Sequence, residues 1–142
     1  MYEIQEQNAF YRYFEVEGNP VAKGRPRMTR SGHTYTPERT RQYEKLVRDS
    51  YLMEYEWASV ATGYIKAEIR ITVCIPKSAT KREREELLKA PPMKRPDLDN
   101  VAKTILDALN GVAYEDDKQV TSLTIYRVWG DAPKAEIWLL GG

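Results

Sequence analysis

The chain has a single cysteine, Cys74, in 142 residues. No intrachain disulfide can form, which predicts a reducing compartment, the cytoplasm. Cys74 falls in a strand pattern without a nucleophile setting and reads as inert. There is one histidine, His33. It has no Cys or His partner at metal-ligand spacing and reads as a loop residue. No apolar run approaches the roughly 20 residues of a membrane span. Residues 1–10 lack a basic start and an apolar centre, so no signal peptide is expected. No Walker loop, internal repeat, low-complexity tract or Gly/Ser/Pro-rich linker occurs, so residues 1–142 read as one domain. Net charge is also scarce, at +1 from 22 basic and 21 acidic side chains.

What is present is the composition of a soluble globular domain, 42% hydrophobic and 30% charged. A chain of this length buries a core without disulfides or a structural metal. The near-zero net charge conceals two opposite fields. Residues 21–48 hold eight basic and two acidic side chains, a net of +6. Residues 97–117 hold six acidic side chains and Lys103, a net of −5. One field suits an anion and the other a cation.

Periodicity predicts the elements. Residues 10–18 alternate as a strand, with Phe10, Arg12, Phe14 and Val16 on one side. Residues 19–35 read as a long basic loop punctuated by Gly and Pro. Thr36-Pro37 opens a helix over 37–57, carrying Tyr43, Leu46, Val47 and Tyr51 at helical spacing. Residues 64–76 are the clearest strand, with Ile65, Ala67, Ile69, Ile71, Val73 and Ile75 on the buried side. Thr80 and Glu83 have capping-box spacing and start a short helix reaching about Lys89, which Pro91-Pro92 ends. Leu98, Val101, Ala102, Ile105 and Leu109 stripe a further helix that stops at Asn110-Gly111. Two strands follow at about 119–129 and 134–140. The order β-α-β-α-α-β-β predicts an α+β (mixed α/β) fold, a four-stranded mixed β-sheet with helices packed on it.

The chemistry concentrates in Arg95-Pro96-Asp97-Leu98-Asp99-Asn100. Pro96 favours extended chain before the helix, so Asp97 and Asp99 can converge where loop becomes helix. Lys103 lies one turn beyond Asp99 on the same face. Downstream, Tyr114-Glu115-Asp116-Asp117-Lys118 adds carboxylates before a strand. Gathered carboxylates repel unless a cation neutralises them, and hard oxygen ligands suit Mg²⁺, with Mn²⁺ as a substitute. Such an ion activates water and screens charge on a phosphate, and Lys103 beside it can stabilise a negative transition state. A lone Asp-x-Asp at a helix start is, by itself, better explained by helix capping than by metal binding. Asp107 reads as a solvated helix face, and Glu115 and Asp116 as ordinary turn acids.

In the basic loop, Lys23, Arg25, Arg27 and Arg30 stand without an acid between Val21 and Tyr35. Arginine forks suit phosphate oxygens, Gly24 allows close backbone approach, and Tyr35 can stack on a base. The plain alternative is a solvated charge run.

Arg95-Pro96-Asp97-Leu98-Asp99-Asn100-Val101-Ala102-Lys103, continued through Ile105-Leu106-Asp107-Ala108-Leu109-Asn110-Gly111 and Tyr114-Glu115-Asp116-Asp117-Lys118-Gln119-Val120, resembles the RusA family of Holliday junction resolvases. Gly24-Arg25-Pro26-Arg27 and Tyr35-Thr36-Pro37 resemble its phage and prophage branch. The resemblance spans roughly residues 14–140. It implies a homodimeric, Mg²⁺-dependent endonuclease that cuts four-way DNA junctions. It places the metal-binding and catalytic aspartates at Asp97, Asp99 and Asp117 and the catalytic lysine at Lys103, with Asp116 a helper or a structural acid. The rival readings are a non-catalytic branched-DNA binding module, which would leave a junction uncut in Mg²⁺, and a sugar-nucleotide transferase using Asp-x-Asp. The latter ordinarily needs a larger domain than 142 residues.

Overall fold

The computed structural model describes residues 10–24 and 27–141. Six strands and three helices follow in order: β1 (Phe10–Glu17), β2 (Arg27–Met28), β3 (Thr34–Tyr35), α1 (Glu38–Tyr55), β4 (Ile65–Cys74), α2 (Lys81–Leu87), α3 (Leu98–Ala108), β5 (Val120–Gly130) and β6 (Lys134–Gly141). The main sheet has the spatial order β1-β6-β4-β5. β6 runs antiparallel to both β1 and β4, whereas β5 runs parallel to β4. This is the expected α+β arrangement, a four-stranded mixed sheet with the elements in the predicted order. The basic loop contains one addition, the short β2–β3 hairpin. Its turn is closed by the Gly32 N–H donating to the Thr29 carbonyl at 3.0 Å.

Why β6 lies between β1 and β4 is visible at the end of β5. Residues 131–133 pass across the end of β4, where the Ile75 N–H donates to the Gly130 carbonyl at 3.0 Å. The returning strand then pairs on both sides, and its Ala135, Ile137 and Leu139 are fully buried. They meet Ile65, Ala67, Ile69 and Ile71 of β4 in the core. Onto this face pack Tyr43, Val47 and Tyr51 of α1 and Val101 and Ile105 of α3, followed by Leu109. Each fully buried Ile or Leu side chain contributes about 1.5–3 kcal/mol, so the α3 stripe fixes that helix against the sheet.

Two local devices set where α3 begins and ends. Asp97 occupies its N-cap in extended conformation, following the Arg95–Pro96 pair. Past its C-terminus, Gly111 adopts φ +77°, a conformation that side chains disfavour, and its N–H donates to the Tyr114 carbonyl at 2.7 Å. The outer face of the sheet departs from simple alternation. Glu136 is only 4% exposed and receives Arg70 through two contacts of 3.0 Å and the Tyr13 hydroxyl at 2.7 Å. Tyr13 and Trp138 shield that network, with ring centroids 5.1 Å apart.

Candidate active site

The site is built on the outward side of α3, on the turn before β5 and on the basic loop. Asp99, Lys103 and Asp107 fall four residues apart and therefore form one row along α3. Asp99 and Lys103 are exposed, and Asp107 is half-buried. Lys103 makes no ion pair among the described residues. Asp97 is exposed, and its side chain forms no capping hydrogen bond. The capping explanation of this carboxylate therefore does not hold for Asp97.

The second group of carboxylates is held by a pinned turn. Tyr114 is fully buried, and its hydroxyl donates to the Leu106 carbonyl at 2.6 Å. The Gln119 amide donates to the carbonyls of Ala61 and Gly63 at 2.9 and 2.8 Å, while its oxygen accepts from the Asp116 N–H at 2.9 Å. Asp116 caps the single 3₁₀ turn Asp117–Gln119, its carboxylate accepting from the Lys118 N–H at 2.8 Å. That bond, with the hydrogen bond to Asp117, holds the Asp116 carboxyl below the usual range. Asp116 thus holds the turn that carries Asp117. Asp117 is presented beside α3, where its carboxyl is pushed up to about 6. The causes are hydrogen bonding with Asp107, then burial, then the neighbouring Asp116. Two carboxylates in contact favour a shared proton on one of them.

Asp107 was legible in the sequence only as a solvated helix face. Its role emerges because the turn folds back onto α3, a non-local event. Lys23 completes this group from the other side. Its ammonium contacts Glu44 of α1 at 2.9 Å and Asp107 at 3.1 Å. Burial pulls its pKa down, but the two carboxylates prevail and hold it above the ordinary lysine value. Its backbone N–H donates to the Asn100 carbonyl at 2.9 Å. The next residue is glycine for a packing reason: a Cβ there would lie 2.8 Å from Pro37 Cγ and 3.1 Å from Thr40 Oγ1. The close backbone approach permitted by Gly24 is thus to the start of α1.

The sequence-predicted residues are distributed accordingly. Eight residues of helix separate Asp99 from Asp107, about 12 Å along the axis. Asp117 joins Asp107 and Asp116, not Asp97 and Asp99. Among the described residues no group of three or more His, Cys, Asp or Glu side chains is close enough to hold one metal ion. Arg25 lies outside the described residues, Arg27 opens β2, and Arg30 is exposed at the tip of the hairpin. Among the described residues no helix is long and apolar enough to cross a membrane.

A family model described as Endodeoxyribonuclease RusA matches residues 17–139. The chain is also similar to a protein of Bacillus subtilis (strain 168) named "Uncharacterized protein YqaN". The two are 33% identical over 136 residues, covering 89% of this chain and 93% of that protein.

Proposed function

The chain belongs to the RusA family of endodeoxyribonucleases, and from that premise we propose that it resolves four-way DNA junctions by paired, Mg²⁺-dependent phosphodiester hydrolysis. As a member of that family it is a hydrolase acting on DNA. The observation that carries the finer reading is the placing of Asp117 against Asp107, in the row that Asp99 and Lys103 extend along α3. Such crowding disfavours the ionised form until a cation relieves it.

The donor set fits a divalent ion of the hard class. Every candidate ligand is a carboxylate oxygen, which suits Mg²⁺, with Mn²⁺ as a substitute. Asp97 with Asp99 at the start of α3 would hold one such ion, and Asp117 with Asp107 near its end would hold another. When bound, the ion supplies an activated water and screens charge on the phosphate under attack. The chain's own groups do the rest. Lys103 stands between the two carboxylate pairs and neutralises negative charge developing on phosphate oxygens. Lys23 holds Asp107 in place, and the loop bearing Arg25, Arg27 and Arg30 neutralises DNA phosphates. Contacts to the backbone read junction shape rather than base sequence.

Incubating the protein with a labelled four-way junction, in Mg²⁺ and in EDTA, tests the reading. Matched nicks giving two linear duplexes are expected only with the ion. An intact junction in Mg²⁺ and Mn²⁺ despite tight binding would establish the non-catalytic binding module instead. Equal cutting of linear duplex would remove the junction selectivity.

A further inference from the structure

A pocket of about 400 Å³ opens at the other end of the row of carboxylates, beside the start of α3. Its walls come from the ends of the parallel strands β4 and β5, from the first turns of α1 and α3, from the segment preceding α3 and from residues 19–20 after β1. Four cations line it: Arg39, Lys94, Arg95 and Arg127. Among the described residues no acidic side chain lines it. None of the four cations pairs with a carboxylate among the described residues. Arg127 donates to the Pro96 carbonyl, which ties β5 to the segment that delivers Asp97. Four like charges facing one cavity repel each other, so the arrangement favours an anionic occupant. Arginine forks match phosphate oxygens. Apolar Pro20 and Leu98 in the same wall suit the carbon face of a sugar. Leu98 lies between Asp97 and Asp99 in sequence.

We propose that this pocket binds a backbone phosphodiester of the DNA strand next to the linkage that is cut, so that Arg39, Lys94 and Arg127 position the strand against Asp97 and Asp99. The proposal rests on the nuclease reading for its substrate and deepens it, adding a positioning site distinct from Arg25, Arg27 and Arg30.

The test is a binding measurement in EDTA, where no cutting intervenes. The probe is a four-way junction with unphosphorylated 5′ ends, in which single linkages are replaced in turn by neutral methylphosphonate. The wild-type protein is expected to lose about tenfold in affinity at one linkage flanking the cut. The double variant Arg39→Gln, Lys94→Gln is expected to bind the unmodified junction about tenfold more weakly. Its salt slope should be shallower by about 0.9, and it should become insensitive to methylphosphonate at that linkage alone. Arg39→Gln by itself, an exposed change in the first turn of α1, should show the same loss of sensitivity in smaller degree. Persistence of the full wild-type sensitivity pattern in both variants would overturn the pocket's role, even with cutting intact. Conversely, an uncut junction in Mg²⁺ with the flanking sensitivity erased in the variants would overturn the nuclease reading and leave the pocket standing. Loss of affinity only for junctions carrying a 5′-phosphate would transfer the site to strand ends and reject the internal linkage.

Discussion

Asp117 is a residue whose chemistry is set by its surroundings. Its carboxyl rises from 3.8 to about 6 because Asp107 stands against it. A carboxyl raised on folding makes the native state bind more protons than the unfolded chain between those two values. Stability then falls as pH rises through that window, and the deficit persists at neutral pH. In EDTA, Asp117→Asn is expected to melt higher than the wild type at pH 7, and thermal melts should converge below the window. A variant that melts lower at pH 7 would show that the pair is not strained. Added Mg²⁺ should raise the melting temperature of the wild type more than that of Asp117→Asn. At the opposite end of α3, Asp99→Asn is expected to abolish junction cleavage and to retain or improve binding, since a negative charge near phosphates disappears. Joint loss of folding and binding would contradict this. Asp97, Asp99 and Lys103 could be singled out from the sequence because a proline, a helix start and an i,i+4 spacing are local signals. Asp107 could not, because nothing local ties it to residue 117. Nor could Arg39 and Arg127, which lie far apart in the chain and meet only through the packing of α1 and β5 around one cavity.

At the level of elements, the inward faces were readable and the outward ones were not. The alternation of Ile65, Ala67, Ile69 and Ile71 announced β4, the Thr80–Glu83 capping box forms as its spacing demands, and Gly111 follows α3 in left-handed conformation. Sheet order was not readable, because the insertion of β6 between β1 and β4 depends on pairing across more than sixty residues. On the outer face Glu136 is buried by Arg70, Tyr13 and Trp138, a network drawn from three strands. Burial pushes the Glu136 carboxyl up, but the Tyr13 hydroxyl and the Arg70 guanidinium outweigh it and hold it below the ordinary 4.5. The native state therefore gains from ionised Glu136 above that value, and the gain is lost as pH falls through the lowered one. Glu136→Gln is expected to cost about 1–3 kcal/mol at pH 7, with the difference from wild type shrinking under acid in denaturant melts. A constant difference across pH would assign the network to packing alone.

The whole molecule poses the question of number. A four-way junction has two-fold symmetry, and its resolution needs two matched cuts. One chain offers one α3 row, one pinned turn and one cationic pocket, which together address a single strand. A closed C2 pair would present two such surfaces at fixed separation, and its self-complementary contact would orient both toward one branch point. The homodimer is thus the assembly that the proposed reaction requires. It makes a prediction that a monomer acting twice does not share. Pre-mixed and exchanged with an excess of Asp99→Asn chains, the wild type should be trapped mostly in mixed pairs. Those pairs should nick one strand of the junction and stall, so singly nicked junctions should accumulate while linear duplex products fall with the square of the wild-type fraction. A monomer would instead lose activity in simple proportion and still complete both cuts in successive encounters. Electrophoresis under denaturing and native conditions separates the two patterns, and sedimentation across a range of protein concentrations supplies the mass. Linear products declining only in proportion to the wild-type fraction, with a sedimenting mass of one chain, would dispose of the paired mechanism.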